Sequence, residues 1–331
     1  MRWGSKTPPG SPGVCLKGRS ETSVEARSVA RPTLAATCDI LYRRSALNRQ
    51  AWLSGGRHLA FGDERIWYRI DGAAEPTLLF AHGYPTSSHD WAPVIASLAP
   101  QYRCVSFDFL GFGASSKPRR RYDYALQHEV LAKVVRAAGV TRAVLVAHDY
   151  AVTLGQDYLS STPRAPFSLA GVIFLNGGID PDQHRPRPMQ RFLASPIGRL
   201  VGPRLMRRDA VLRALREVLT RKESLPDDDT WEAISSDGGL WVMPRLLRYI
   251  AERKRRRERL VAAFEASAIP HALLWGLDDP VSGKHMLDAI RPRAPKAIVH
   301  ELRGVGHYPQ LEAADEVARL LDEIAARWLN A

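Results

Sequence analysis

The stretch VAHDYAV, residues 146–152, places an acidic side chain, Asp149, where it could attack a substrate. Ala147 and Ala151 flank it two residues away on each side, and small residues at those positions allow a sharp turn between a strand and a helix. Because such a turn exposes its central side chain, Asp149 is a candidate nucleophile. The same five residues also fit an aspartate that only caps the following helix.

Two later segments offer the partners that a nucleophilic carboxylate needs. WGLDDPVSG contains Asp278 and Asp279, and GVGHYPQLE contains His307. A nucleophile, an acid and a histidine in this chain order, each after a predicted strand, are typical of a triad in which the acid orients a histidine base. Since an open α/β sheet gathers its ligands at the carboxyl ends of its strands, we expect these side chains to meet there.

Short apolar runs predict the strands that position these side chains. HLAFG and RIWYRI predict a hairpin around a turn at Gly62 and Asp63. Later runs are apolar along most of their length, as in strands buried on both faces of a parallel sheet: TLLFAHG, YRCVSFD, TRAVLVAH, LAGVIFLN, IPHALLWG and AIVHELRG. Helical stretches lie between them, and YALQHEVLAKVVRAAG closes on Gly139. The alternation predicts an α/β fold with a mostly parallel, doubly wound sheet.

The pattern divides the chain into three parts. Residues 55–179 and 267–331 carry the alternating strands and helices and are predicted to form the core. Residues 180–266 are helical in pattern and rich in Pro and Arg, which indicates an inserted helical cap. Residues 1–54 begin with loop-forming sequence such as GSKTPPGSPG and have little apolar periodicity, so we predict a disordered tail.

The net charge of +12 is unevenly distributed. Nine Lys/Arg and three acidic residues in the first 50 positions give +6, half of the total. The run RKRRRER, residues 253–259, has no interleaved aromatic residues, so we interpret it as a solvated helix face and predict no nucleic-acid partner.

The remaining composition narrows the class of protein. Three widely spaced cysteines, Cys15, Cys38 and Cys104, have no CxxC or histidine partner, which indicates neither a disulfide framework nor a zinc site and favours the cytoplasm. No apolar run of about 20 residues predicts a membrane span. The histidines show no metal-ligand spacing, so we expect no metal and no cofactor. The oligomeric state stays open.

Together the motifs resemble the α/β-hydrolase superfamily, in the branch of the epoxide hydrolases and haloalkane dehalogenases. HGYPTSSHDW, residues 82–91, is similar to the HGxP oxyanion-hole segment, and DFLGFGASSKP, residues 108–118, to the D-x-x-G-x-G-x-S turn. HDY, NGGI, HRP and HYPQLE most resemble the mesoderm-specific transcript proteins within that branch. The resemblance covers about residues 55–330 and implies an α/β-hydrolase fold with an inserted helical cap.

The resemblance also implies why the nucleophile is a carboxylate. A serine that attacked an sp3 carbon would form an ether, whereas Asp149 would form an ester that water activated by His307 could hydrolyse. The family pattern W/Y-G-x-x-D, counted from Gly276, favours Asp279 over Asp278 as the acid. The backbone N–H groups of Tyr84 and Tyr150 would stabilise the oxyanion. The predicted oxyanion-hole and substrate-binding residues are His82, Gly83, Tyr84, Pro85 and Tyr150.

Two features bear on the leaving group. Haloalkane dehalogenases typically carry Trp after the nucleophile and often Asn in HGxP, and this chain has Tyr150 and Tyr84 instead. Epoxide hydrolases use cap tyrosines as acids, and Tyr249 has the corresponding position before Ile269, although it equally fits an ordinary helix residue. We therefore expect a small apolar epoxide and water as substrates, with an alkyl halide as the alternative.

A third alternative is a hydrolase fold that has been retained for binding alone. The presence of Asp149, Asp279 and His307 argues against it, because a non-catalytic protein has no chemical reason to keep all three.

Overall fold

A central sheet of eight strands organises the chain. The computed structural model describes residues 48–72, 75–160 and 165–329. Its strands are β1 Arg57–Phe61, β2 Glu64–Asp71, β3 Thr77–Ala81, β4 Arg103–Phe107, β5 Arg142–His148, β6 Ser168–Leu175, β7 His271–Gly276 and β8 Ile298–Leu302. They lie in the order β1-β2-β4-β3-β5-β6-β7-β8. β2 is antiparallel to β1 and β4, and all other neighbours are parallel, which confirms the predicted sheet.

Fourteen helices accompany the strands in the described residues. They are α1 Arg49–Ser54, α2 Ala92–Leu98, α3 Tyr124–Ala137, α4 Val152–Leu159, α5 Pro188–Ala194, α6 Pro196–Leu205, α7 Arg208–Arg216, α8 Asp227–Ser235, α9 Gly239–Leu246, α10 Arg248–Arg255, α11 Arg257–Ala266, α12 Lys284–Ile290, α13 Pro309–Glu312 and α14 Ala314–Leu329. Short 3-10 turns occur at Ser88–Trp91, Asp149–Ala151, Lys222–Ser224, Ser236–Gly238 and Arg291–Arg293.

The strands are buried on both faces, as their apolar sequences predict. Leu78 and Phe80 of β3 belong to a core that includes residues of α2 and α14. Leu79 and Ala81, which alternate with them along the strand, belong to a second core that includes residues of α3 and α4. The sheet is therefore covered by helices on each side. The predicted site residues Asp149, Asp279 and His307 follow the ends of β5, β7 and β8.

Seven helices, α5 to α11, lie between β6 and β7, within the segment predicted to be a cap. Apolar side chains from these helices join the same core as α3 and α4. Examples are Leu193, Leu212, Leu246 and Phe264. This packing holds the cap segment against the core near the carboxyl end of β5.

The basic run in the cap differs from the solvated face expected from the sequence. Arg256 and Arg259 both pair with Asp157, whose side chain on α4 is fully buried. Arg257 pairs with Asp180, whose side chain is 4% exposed. These arginines attach the start of α11 to the core, because they pair with carboxylates that are buried and need counter-charges.

The segment predicted to be a tail contains one folded element, so its boundary at residue 54 is wrong. Helix α1 begins at Arg49, and Asn48 caps it by accepting a hydrogen bond from the Ala51 N–H. Trp52 is 4% exposed, lies 6.0 Å from the Trp67 ring, and binds the Arg69 guanidinium over its face. A single large aromatic residue thus anchors a helix too short to show periodicity. Residues 1–47 lie outside the described part of the chain.

Within the described ranges, no helix has the length and apolar character needed to cross a membrane.

Candidate active site

Asp149 occupies a sharp turn at the end of β5. Its φ angle is 43°, in the left-handed region that residues other than glycine seldom adopt. The Asp149 N–H donates to the Asn176 carbonyl at 3.1 Å, and Ala147 and Ala151 on either side are fully buried. Backbone strain of this kind is concentrated at functional sites, where the surrounding structure maintains it.

Two glycines give this turn the space it needs. A Cβ atom on Gly83 would lie 3.0 Å from Asp149 Cβ and 2.6 Å from a ring nitrogen of His148. A Cβ atom on Gly177 would lie 3.1 Å from Asp149 Cα. The HGYP and NGG segments therefore approach the turn so closely that no side chain fits at either position.

Asp149, Asp279 and His307 lie together at the ends of β5, β7 and β8. The His307 Nδ1 atom is 2.8 Å from Asp279 Oδ2, and its Nε2 atom is 3.7 Å from Asp149 Oδ2. All three residues are at most 5% exposed. Asp278, in contrast, is exposed, so the acid beside the imidazole is Asp279. The side of the imidazole opposite Asp279 faces the carboxylate of Asp149.

Asp279 is held in its ionised form by a set of donors. Its carboxylate accepts hydrogen bonds from Asn176 Nδ2 at 3.0 Å, the Ser282 hydroxyl at 2.8 Å and the Val281 N–H at 2.7 Å. Burial would raise the pKa of Asp279, but His307 and these donors outweigh burial and hold the pKa well below its usual range. The carboxylate therefore stays charged and fixed against the imidazole.

His307 responds to the negative charges around it. Burial would lower the pKa of the imidazole, but the charge and hydrogen bond of Asp279, followed by Asp149 and Glu312, raise the pKa to about 9. His307 is thus mainly protonated at neutral pH. Any change that removes the charge of Asp149 lowers this pKa.

The predicted oxyanion segment contacts the side chain of Asp149 directly. The Tyr84 N–H donates to Asp149 Oδ1 at 2.9 Å. The neighbouring His82 fixes the segment, because its Nδ1 lies 2.8 Å from the Gly83 carbonyl and its Nε2 accepts from the Phe109 N–H at 3.2 Å. Tyr150 contributes a fully buried ring beside the turn, and its N–H stays a predicted donor.

Two residues that the sequence analysis did not single out hold the histidine loop. His148 Nε2 lies 2.8 Å from the His307 carbonyl, and Gln310 Nε2 donates to His148 Nδ1. Burial and the charge of His307 lower the pKa of His148 to about 4, so this ring is neutral and its Nε2 is the donor. His148 is the first residue of the HDY motif, but the sequence does not show its role because its partners, His307 and Gln310, are distant along the chain.

Glu312 joins the histidine loop to the cap. Its carboxylate accepts from the Gly306 and Tyr308 N–H groups at 3.0 and 3.2 Å, on both sides of His307. It also accepts from the Thr220 and Arg221 N–H groups of the cap at 2.8 and 3.0 Å. One buried carboxylate thus binds four N–H groups from two segments.

Tyr249 of α10 lies beside the turn that carries Asp149. Its ring centroid is 5.2 Å from that of Tyr150 and 6.1 Å from that of Tyr84. The side chain is 2% exposed, and its hydroxyl has no hydrogen-bond partner in the described part of the chain. Burial and then the charge of Asp149 raise the pKa of Tyr249, which keeps the phenol protonated.

An apolar cavity of about 70 Å³ opens beside the triad. His307, Tyr84 and Pro85 form its floor. Its upper wall consists of cap side chains, including Met189, Leu193, Met206, Leu215 and Met243. A small apolar group can therefore reach the imidazole, and a larger one requires the cap side chains to move.

Comparisons with known proteins agree with this architecture. Residues 78–320 match the alpha/beta hydrolase family. The LipZ protein of Mycobacterium tuberculosis is 36% identical over 268 residues, which cover 79% of this chain and 92% of LipZ. The human mesoderm-specific transcript homolog protein is 32% identical over 316 residues, covering 90% of this chain and 93% of that protein.

Among solved structures, a loop variant of the haloalkane dehalogenase DbeA from Bradyrhizobium elkanii is similar in fold. It aligns with a TM-score of 0.69 at 22% identity and covers 82% of this chain and 96% of its own.

Proposed function

The chain belongs to the alpha/beta hydrolase family, and on that premise we propose that it hydrolyses epoxides through an ester formed on Asp149. The observation that carries this proposal is the buried Tyr249 hydroxyl, which lies near the Asp149 turn and has no hydrogen-bond partner in the described residues. A hydroxyl in that position can donate its proton to a substrate oxygen.

In the first step, a carboxylate oxygen of Asp149 attacks an epoxide carbon and the carbon–oxygen bond of the ring breaks. The departing oxygen takes the proton of the Tyr249 hydroxyl, so the products are a hydroxyalkyl ester and a phenolate. An alkoxide is a poor leaving group without such a proton. The Arg253 guanidinium, whose Cζ lies 5.5 Å from the centre of the Tyr249 ring, favours the phenolate electrostatically.

In the second step, His307 removes a proton from a water molecule that attacks the ester carbonyl carbon. Esterification has removed the charge of Asp149, so the pKa of His307 falls, and the ring releases its proton to solvent and can then accept one from the attacking water. The ring takes a proton back from solvent when the Asp149 carboxylate is restored. The Tyr84 N–H, already aimed at an Asp149 oxygen, stabilises the oxyanion. When the ester breaks, His307 gives the proton it took from water to the departing alcohol. The second proton of the water leaves the carboxyl group of Asp149 and restores the Tyr249 phenol.

The replacement His307→Gln tests the nucleophile. It removes the base needed for the second step while leaving the first step possible, so we expect an ester to accumulate on Asp149. The protein is mixed with styrene oxide, and intact-protein and peptide mass spectrometry locate the added mass.

The matched control is the double variant His307→Gln with Asp149→Asn, which should gain no mass. If the wild-type protein turns over the epoxide and His307→Gln gains no mass at Asp149, the ester mechanism is wrong. Release of bromide from alkyl bromides without turnover of any epoxide would instead favour the dehalogenase alternative.

A further inference from the structure

Arg253, in the basic run of the cap, is buried without an acidic partner among the described residues. Arg253, in the last turn of α10, is 2% exposed. Its Nε and Nη2 atoms are buried and have no hydrogen-bond partner among the described residues. Its neighbours Arg256, Arg257 and Arg259 all pair with carboxylates of the core. Arg253 is therefore not needed for attachment of the cap in the way that they are.

The guanidinium lies at the same turn that holds the nucleophile. Arg253 Nη2 is 1.9 Å from the position that a Cβ atom on Gly178 would occupy. Two residues before Gly178, the Asn176 carbonyl accepts the Asp149 N–H, and Gly177 packs against Asp149 Cα. Arg253 thus contacts Gly178, and Asp149 contacts the two residues before it, Asn176 and Gly177. A ligand bound to the guanidinium would therefore lie beside the segment that packs against Asp149.

Other unpartnered polar atoms surround this position. The Tyr249 hydroxyl is one of them, and the two ring nitrogens of His184 are also buried without a partner in the described residues. Burial, followed by the charges of Arg253 and His307, lowers the pKa of His184 to about 3, so the ring is neutral and can donate one hydrogen bond. The described residues therefore hold a buried guanidinium, two of whose nitrogens have no hydrogen-bond partner there, and two neutral donors that also have none.

A buried charge without a partner is costly, and the cost is recovered when an anion binds. The planar guanidinium presents parallel N–H groups that match the two oxygens of a carboxylate. We propose that Arg253 binds a carboxylate group carried by the substrate, adjacent to the carbon that Asp149 attacks. The substrate class is then a short 2,3-epoxy acid rather than a neutral epoxide. The proposal rests on the proposed function for the reaction, but not for the binding.

Two probes of nearly identical shape separate charge from size. Glycidate, the carboxylate of oxirane, and glycidamide, its neutral amide, are compared by kcat/KM with the wild-type protein. We expect glycidate to be preferred by about 10- to 100-fold, the range for hydrogen bonds to a charged group. Arg253→Met should abolish this preference, and Arg253→Lys, which keeps the charge but loses the fork, should retain part of it.

The control variant is Arg255→Met, which makes the same change at an exposed position of the same helix. It should leave the preference for glycidate intact. An equal preference in the wild-type protein and Arg253→Met would overturn the proposal while leaving the ester mechanism standing.

Binding is measured separately, so that failure of the reaction does not hide the result. Titration calorimetry with butyrate and butyramide should detect the acid alone, and only when Arg253 is present. If neither epoxide is hydrolysed but butyrate binds in this way, the anion site stands and the proposed function fails. If butyrate does not bind, or binds equally to Arg253→Met, there is no such site.

The stability of the ligand-free protein gives an independent readout. Since Arg253 has no acidic partner in the described residues, Arg253→Met leaves no carboxylate buried alone and should not lower the free energy of unfolding. A large loss of stability in both Arg253→Met and Arg253→Lys would show that the arginine is structural.

Discussion

His307 should make the stability of this protein depend on pH, and the replacement His307→Gln should remove that dependence. The pKa of the imidazole is about 9 in the folded protein, against an ordinary value of 6.5. A pKa that is raised by folding stabilises the protein fully below the unfolded value and is lost as the pH rises through the folded value. The contribution of His307 is therefore present at pH 6 and lost by about pH 9.5.

The size of the effect follows from the shift. Each pKa unit corresponds to about 1.4 kcal/mol, so the stabilisation that is lost over this range is about 3 kcal/mol. Most of it reflects the hydrogen bond and charge of Asp279 on a buried imidazolium.

The measurement is urea unfolding of both proteins at intervals from pH 6 to pH 9.5. Other groups also titrate: burial raises the pKa of Asp90 to about 7 and raises that of Cys104 as well. Because both proteins share these groups, the difference between their curves isolates His307. His307→Gln also leaves Asp149 and Asp279 without an imidazolium, which lowers its stability most at low pH, so the two curves should converge as the pH rises. Parallel curves would refute a raised pKa for His307.

Two further predictions concern single aromatic side chains. Tyr249→Phe should slow turnover of an epoxide by about 100- to 10,000-fold, because it removes the proposed general acid, and should spare any turnover of alkyl halides; equal losses on both, measured as kcat/KM, would mean that Tyr249 only supports the packing. Trp52→Ala should lower the free energy of unfolding by about 3 to 5 kcal/mol, as for other large buried aromatic residues, whereas Leu53→Ala beside it, only half-buried, should cost less; a change below about 1 kcal/mol at Trp52 would mean that α1 is dispensable.

The sheet was predictable because its strands are apolar runs bounded by loop residues. β3 and β5 are buried on both faces, which leaves a signal in consecutive residues that needs no knowledge of distant partners. The hairpin turn at Gly62 was also predictable from local sequence, because Gly62 and Asp63 are turn residues between two short strand-forming runs. The positions of Asp149 and His307 followed from their places after predicted strands.

Long-range contacts were not predictable from local pattern. Arg257 and Arg253 belong to one basic run, yet the first pairs with Asp180 and the second is buried without a partner in the described residues. The sequence near them does not distinguish the two. Helix α1 was missed because six residues are too few to display a period, and Trp52 alone anchors it.

The carboxylate of Glu312 has a consequence for protein engineering. Chimaeras that combine the cap of one relative with the core of another are a common route to new specificities. In this protein the cap is joined to the core at more than the two points where the chain enters and leaves it. Glu312 of the core also accepts hydrogen bonds from the consecutive N–H groups of Thr220 and Arg221 in the cap. A donor cap must supply a loop with the same backbone geometry. Otherwise the transplant leaves the buried carboxylate of Glu312 short of hydrogen-bond donors next to His307.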